Sequence, residues 1–233
     1  MTLTVGSLFA GIGGIDLGLE RAGMRTVWQV ERDEWCRRVL AKHWPQIERY
    51  EDVRDIRWSD VRPADVLCGG FPCQPFSSAG KRQGLQDARW LWPAFRDAID
   101  AIRPRYVVIE NAPTLVHSPA FVVLLSDLSA LGYDAEWTQL RASAIGAPHP
   151  RARTWIVAYT DVCRKSDSAE HDEAPILPQV RPEIRRWPDS PGRVGVDDGL
   201  PNRVDRIRGL GNAVVPQVAE WIGRQIMCHA STR

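Results

Sequence analysis

The chain has 233 residues and a formal net charge of +1 at pH 7, with 44% hydrophobic and 25% charged residues. This composition is ordinary for a globular protein, and the length allows one domain with a small appendage. The near-zero net charge excludes a polycation held to nucleic acid by charge alone, but it leaves room for local basic patches.

Neither a membrane segment nor a targeting signal is visible in the sequence. No apolar run approaches the roughly 20 residues that a membrane-spanning helix needs, and residues 1–6 lack a charged and an apolar signal region. The five cysteines are widely spaced and form no Cys-x-x-Cys pair, so we expect no metal site and no disulfide framework. We therefore expect a cytoplasmic protein without membrane contacts.

Short apolar runs alternate with helical patterns along most of the chain. Strands are predicted at 4–8, 25–30, 64–68, 106–109, 138–140 and 154–158, with a short further strand just before Asp52. Helices are predicted at 14–22, 34–43, 90–102, 121–131 and 217–227. The alternation predicts an α/β fold, with a mostly parallel sheet and helices on both of its faces.

Residues 159–204 break this pattern. They contain six of the 17 prolines, and their charges are segregated into an acidic stretch at 166–173 and a basic stretch at 181–193. We interpret 159–204 as a small irregular module, and 1–158 with 205–233 as the main domain.

A glycine-rich turn, Ser7-Leu8-Phe9-Ala10-Gly11-Ile12-Gly13-Gly14, follows the first strand and opens a helix. Such a turn lets the backbone approach a ligand, but the dinucleotide fingerprint would need glycine where this chain has Asp16. Glu31 ends the second strand, at the position where a carboxylate can accept hydrogen bonds from ribose hydroxyls. The residues suit a nucleoside ligand without a diphosphate, and a tight turn followed by an exposed glutamate explains them equally well.

Two further strands end in residues that could act in catalysis. Pro72-Cys73-Gln74 follows the strand at 64–68 within a loop stiffened by glycines and prolines, and Glu110-Asn111 ends the strand at 106–109. A cysteine at a strand end can act as a nucleophile, and a partly buried carboxyl beside it can donate a proton. A small apolar cysteine and a surface acid are the simpler interpretations of the same residues.

These turns, in this order, resemble the DNA cytosine-5 methyltransferases. The matching motifs are Phe9–Gly13 (residues 9–13), Pro72-Cys73-Gln74, Glu110-Asn111-Ala112, the Arg-x-Arg pair in His149-Pro150-Arg151-Ala152-Arg153, and Gly211-Asn212-Ala213-Val214. Ala112 and His149 depart from the residues usual in the family. The resemblance implies a Rossmann-like methyltransferase fold with 159–204 as a short target-recognition region.

The resemblance also implies S-adenosylmethionine as the cofactor, converted to S-adenosylhomocysteine, and no metal. Phe9 would stack on its adenine, Glu31 would bind its ribose and Asp52 would meet the adenine amino group. The cofactor-binding residues implied in this way are Phe9, Ala10, Gly11, Gly13, Gly14, Glu31, Asp52, Pro72, Asn212 and Val214.

By the same resemblance, the substrate would be a cytosine flipped out of double-stranded DNA. Cys73 would attack C6 and Glu110 would bind N3, while Arg153, with Arg151 beside it, would orient the base. The implied DNA-binding residues are Gln74, Ser77, Ser78, Lys81, Arg82, Arg185, Arg186 and Arg193.

Other functions fit the same residues. A catalytically weak relative would act as a DNA-binding module, and an RNA methyltransferase would use the same chemistry on a tRNA cytosine. A nicotinamide-dependent oxidoreductase is disfavoured by Asp16. Further expectations are a monomer of bacterial or phage origin and a cognate restriction endonuclease as a partner.

Overall fold

The computed structural model describes residues 2–72, 90–160, 175–177, 209 and 211–232. Its centre is a seven-stranded sheet with the strand order β3-β2-β1-β4-β5-β7-β6. The strands are β1 (Thr4–Leu8), β2 (Arg25–Val30), β3 (Glu48–Tyr50), β4 (Val66–Gly69), β5 (Tyr106–Asn111), β6 (Tyr133–Arg141) and β7 (Ala152–Thr160). Strands β1 to β5 are parallel, and β7 runs antiparallel to both of its neighbours.

Five α-helices flank the sheet in the part of the chain that the structure describes. They are α1 (Gly14–Arg21), α2 (Glu34–His43), α3 (Trp92–Ile102), α4 (Pro119–Ala130) and α5 (Pro216–Ser231). No helix among the described residues is long and apolar enough to cross a membrane.

Each face of the sheet carries its own apolar core. Along β5 the side chains alternate, so Val107 and Ile109 pack with α3 and α4, whereas Tyr106 and Val108 pack with α1 and α5. All six residues of β5 are buried, as expected for a central strand covered on both faces. The predicted fold class, a mostly parallel sheet with helices on both faces, is confirmed.

The main difference from the predicted elements is at the edge of the sheet. The apolar pattern indicated only 138–140 as a strand, but β6 has nine residues. Most of them are polar or partly exposed because β6 pairs with β7 alone, and such a strand carries a weak hydrophobic signal. The division into 1–158 with 205–233 and 159–204 stays a prediction, since most of 159–204 lies outside the described residues.

Helices α1 and α5 pack at very short range through glycine. A Cβ built on Gly18 of α1 would lie 2.4 Å from the Pro216 carbonyl oxygen and 2.5 Å from Cβ of Ala219. On α5, a Cβ on Gly223 would lie 2.7 Å from Cβ of Ala22. Only residues without a side chain allow this approach, which places the segment before α5 against the start of α1.

A polar network is buried beneath α1. The Asp16 side chain is completely buried and accepts hydrogen bonds from Ser7 Oγ at 3.0 Å and from Gln29 Nε2 at 2.9 Å. Burial raises the pKa of Asp16 from 3.8 to about 6, although both hydrogen bonds oppose the shift. Burial likewise raises the pKa of the adjacent Cys68 thiol well above its usual value.

Replacing Gly18 with alanine should destabilise the fold. Alanine favours a helix over glycine by about 1 kcal/mol, but overpacking against the Pro216 carbonyl costs about 1–3 kcal/mol. We therefore expect a lower urea midpoint for Gly18→Ala, measured by circular dichroism. Ser126→Ala, at an exposed position of α4, is the control and should not lower the midpoint. An unchanged midpoint for Gly18→Ala would mean that the helices can separate without cost.

The buried Asp16 should also make stability depend on pH. The folded chain holds this proton more tightly than the unfolded chain, so its contribution to the free energy of unfolding declines as pH rises from about 4 to about 6. A shift from 3.8 to about 6 corresponds to roughly 3 kcal/mol.

Asp16→Asn removes this titration but can keep both hydrogen bonds, because the Ser7 hydroxyl can also accept. Its stability relative to the wild type should increase across that pH window in urea titrations. Asp60→Asn, at a side chain that is 68% exposed, serves as the control. A constant difference between Asp16→Asn and wild type at every pH would contradict the assignment.

Candidate active site

A cavity of about 870 Å³ opens at the edge where the parallel strands end. The registers Leu8↔Val30, Leu8↔Gly69 and Gly69↔Ile109 align the ends of four strands, and β7 begins at the same edge because it runs the opposite way. Ligands of open α/β sheets bind at such an edge. The predicted site residues that line the cavity are Phe9, Ala10, Gly11, Gly14, Glu31, Asp52, Pro72, Glu110, Arg151, Arg153, Asn212 and Val214.

The glycine-rich turn forms one wall through an unusual backbone. Phe9, Gly11 and Gly13 all have positive φ, at 53°, 57° and 84°. Phe9 is strained, because residues with a side chain rarely adopt this conformation, and its ring packs against Phe95 at 6.2 Å between centroids. A Cβ on Gly11 would meet open space, so the backbone there is accessible to a ligand.

Gly13 has a different environment from the one implied for a cofactor contact. It caps α1, and a Cβ built on it would lie 2.4 Å from the ring of Trp44. Gly13 therefore lets the turn pass close to Trp44, and its cofactor role stays a prediction.

The Glu31 carboxylate is hydrogen-bonded to the glycine-rich turn. Its Oε2 accepts a hydrogen bond from the Gly11 backbone N–H, and its Oε1 accepts one from the Asp33 N–H, both at 2.7 Å. A carboxylate has about four acceptor sites, so capacity remains for ligand hydroxyls.

The Asp52 carboxylate interacts with two arginines. It accepts hydrogen bonds from the side chain and backbone N–H of Arg54, and Arg32 lies 3.8 Å away. The Arg54 side chain is the main cause that lowers the pKa of Asp52 to about 2. Asp52 is consequently ionised at any physiological pH. The sequence pattern did not reveal Arg54, which also lines the cavity.

The segment before α5 forms another wall of the cavity, next to the start of α1. The Val214 carbonyl oxygen would lie 2.5 Å from a Cβ on Gly14, and Arg151 Nη1 donates to the Gly211 carbonyl at 3.0 Å. Burial, and then the charge of Arg153, lower the pKa of Arg151. Its Nε is buried with no hydrogen-bond partner among the described residues.

The buried Glu110 and the partly exposed Arg153 form an ion pair at the sheet edge. Arg153 Nε lies 2.8 Å from Glu110 Oε1, and the residue Glu110 is only 8% exposed. Burial raises the pKa of Glu110, whereas the charges of Arg153 and Arg151 oppose the shift. A raised pKa favours the protonated carboxyl, which can donate a proton.

Two contacts that sequence analysis missed fix this acid. A Cβ on Gly70 would lie 2.8 Å from Glu110 Oε2, so only glycine leaves room for the carboxylate. The Asn111 side-chain amide donates to the Phe71 carbonyl at 3.1 Å, which ties the end of β5 to the segment leading to Pro72. The paired glycines at 69–70 were a visible signal, but the partner they approach was not.

The structure thus brings together predicted cofactor and catalytic residues from seven separate parts of the chain. The remaining predicted site residues lie outside the described residues: Cys73, Gln74, Ser77, Ser78, Lys81, Arg82, Arg185, Arg186 and Arg193. The site roles of all these residues stay predictions.

Comparison with known sequences gives consistent matches. A model of the C-5 cytosine-specific DNA methylase family matches residues 3–194. The Type II methyltransferase M.NgoBI of Neisseria gonorrhoeae is 35% identical over 158 residues, which cover 66% of this chain and 50% of that protein. M2.BsuMI of Bacillus subtilis is 33% identical over 183 residues, covering 73% and 46%. The chain spans about half the length of the curated relatives it matches.

Solved structures share the fold. A protein encoded within an E. coli prophage, described as a DNA modification methyltransferase, aligns with a TM-score of 0.61 and 27% identity, over 72% of this chain and 49% of that one. The Entamoeba histolytica methyltransferase EhMeth aligns over 100% of this chain and 99% of its own, with a TM-score of 0.69 and 15% identity. The sheet is therefore a Rossmann-like methyltransferase fold, and the chain belongs to the C-5 cytosine-specific DNA methylase family.

Proposed function

We propose that this protein transfers a methyl group from S-adenosylmethionine to C5 of a cytosine in double-stranded DNA. One observation carries the proposal: the Glu110–Arg153 ion pair lines the same cavity as the glycine-rich turn, Glu31 and Pro72. Pro72 immediately precedes Cys73, so the sequence requires the proposed nucleophile to follow a residue of the cavity wall.

The cavity fits the cofactor. Its volume is within the range of small-molecule sites, and the exposed backbone at Gly11 leaves space for a ligand. The Phe9 ring offers an aromatic surface to adenine, Glu31 has acceptor capacity for ribose hydroxyls, and the ionised Asp52 can accept from an amino group. When bound, S-adenosylmethionine supplies the methyl group that C5 receives. Asn212 and Val214 would close the pocket.

The chain's own residues make the weakly nucleophilic C5 reactive. The Cys73 thiolate forms a bond to C6, and the displaced electron pair increases the electron density at C5 and N3. The protonated Glu110 carboxyl donates at N3, and Arg153 holds the ring at O2 while keeping Glu110 in place. After methylation a base removes the C5 proton, the C6–S bond breaks and the thiolate is released.

Both faces of C5 and C6 must be accessible for this chemistry, so the cytosine is flipped out of the duplex. Phosphate and base contacts would come from the segments after Cys73 and in the recognition region, through the eight residues predicted from the sequence. A cognate restriction endonuclease is a further proposal, prompted by the Type II names of the relatives.

Substituting Cys73 should separate cofactor binding from chemistry. We expect Cys73→Ala to abolish methyl transfer to plasmid DNA, because the bond to C6 cannot form. Its affinity for S-adenosylmethionine, measured by calorimetry, should stay within about twofold of the wild type. Cys228→Ala, at an exposed cysteine, is the matched control and should keep full activity.

The wild type should form a covalent adduct with duplex DNA that contains 5-fluorocytosine, because fluorine cannot leave as a proton does. The adduct should be visible on a denaturing gel and absent in Cys73→Ala. Near-normal activity in Cys73→Ala would refute the mechanism. Parallel assays on duplex DNA and tRNA, with bisulfite sequencing, distinguish a DNA enzyme from an RNA enzyme or an inactive binder.

Replacing Glu110 with glutamine should test the proton donor. Glutamine can still donate a hydrogen bond to N3 but cannot transfer a proton, so we expect kcat to fall about 10²–10⁴-fold. Because burial raises the pKa of Glu110, wild-type activity should decline as pH rises and the carboxyl loses its proton. Glu110→Gln should lack that decline.

Glu220→Gln provides a matched control. Glu220 is also 8% exposed and pairs with an arginine, Arg224, at 2.6 Å, but it lies on α5 rather than in the cavity wall. Its substitution should leave kcat and the pH profile unchanged. Equal losses in both variants would indicate a general effect of removing a buried carboxylate.

A further inference from the structure

A carboxylate on the edge strand holds a short piece of the predicted recognition region. Glu136 on β6 accepts hydrogen bonds from two consecutive backbone N–H groups, Ile176 to Oε1 and Leu177 to Oε2, each at 3.0 Å. The Tyr159 hydroxyl donates to Oε1 at 3.2 Å. One side chain thus satisfies two donors of a segment that has no helix or strand of its own.

Apolar packing fixes the same three-residue segment, 175–177. Ile176 and Leu177 are 4% and 9% exposed and belong to the core on the α1–α5 face of the sheet. Trp155 and Tyr159 of β7 are part of that packing. The segment is therefore joined to the methyltransferase core through both its backbone and its side chains.

This attachment lies between two parts of the recognition region that have opposite charge. Residues 161–174 contain five acids and two basic residues, whereas 178–204 contain five arginines and four acids. The predicted DNA contacts Arg185, Arg186 and Arg193 all belong to the second part. Because the part that carries these arginines directly follows 175–177, the position of 175–177 fixes where that part begins.

We propose that Glu136 is a positioning residue for target recognition: it fixes 175–177 on the core and thereby sets the starting point of the arginine-bearing part. This inference rests on the proposed function. Glu136 does not act on the chemistry, because it does not line the cavity and pairs with Val157, four residues along β7 from Arg153. Its loss should weaken productive DNA binding and leave cofactor binding and kcat intact.

The test uses the full chain with Glu136→Ala and Glu136→Gln. Alanine leaves both N–H groups without the carboxylate, and glutamine retains one acceptor oxygen. With unmethylated plasmid DNA, we expect KM for DNA to rise about tenfold in Glu136→Ala and by a smaller factor in Glu136→Gln. The kcat and the Kd for S-adenosylmethionine should stay within about twofold of the wild type.

Tyr159→Phe is the matched control. It removes one donor to the same carboxylate and leaves both backbone hydrogen bonds, so KM for DNA should stay near that of the wild type. An equal rise in KM for Tyr159→Phe and Glu136→Ala would overturn the proposal. The rise would then come from disturbing the side-chain contact between β6 and β7, and not from losing the two backbone hydrogen bonds. A fall in kcat without a change in KM would also overturn it.

Hydrogen exchange measures the attachment directly and does not depend on catalysis. The amides of Ile176 and Leu177 should exchange at least tenfold faster in Glu136→Ala, with β5 amides unchanged. If the wild type proves inactive, the proposed function fails but the role of Glu136 can still be tested. Binding of a fluorescent mixed-sequence duplex then replaces the kinetic assay. Unchanged exchange at both amides, or unchanged duplex affinity despite faster exchange, would overturn the role of Glu136.

Discussion

The close approach of α5 to α1 is the contact on which the site depends. Glycines at positions 14, 18 and 223 leave backbone where side chains would otherwise keep the two helices apart. This approach sets the position of residues 211–215, which form a wall of the cavity although they lie about 200 positions from the glycine-rich turn. The strand ends supply the remaining walls, but they cannot enclose a ligand without this returning segment.

Three of the carboxylates that line the cavity have distinct electrostatic environments. Glu31 accepts from backbone amides, Asp52 is ionised beside Arg54, and Glu110 has a raised pKa because it is buried. These differences are what the proposed function needs, with Glu31 and Asp52 binding the cofactor and Glu110 carrying a proton. Arg153 is central to this division, because it stabilises the position of Glu110 without fully offsetting the cost of burying it.

Much of this arrangement could be predicted from the sequence, and the reason is geometric. Glu31 and Glu110 end parallel strands, so their convergence follows from strand order alone. Gly70 and Glu136 could not be identified in this way, because their roles depend on which distant atoms lie beside them. Arg54 is only two residues from Asp52, but no pattern in the sequence shows that its side chain turns back onto that carboxylate. The full length of β6 was also missed, since a partly exposed edge strand has no continuous apolar pattern. The close approach of Gly13 to Trp44 was not visible in the sequence either, and its cofactor role stays a prediction.

Because β7 runs antiparallel to its neighbours, the ion pair of Arg153 with Glu110 and the predicted recognition region lie at opposite ends of this strand. Arg153 stands at the cavity end of the strand and Thr160 at the other end, about 23 Å away at the usual rise per residue. The predicted recognition region, 159–204, begins at this second end of the strand. Under the proposed function, changes of length or composition after Thr160 can therefore alter which DNA is chosen without shifting the register that holds Arg153 against Glu110. Specificity could then diversify among descendants of such a protein while the chemistry is inherited unchanged.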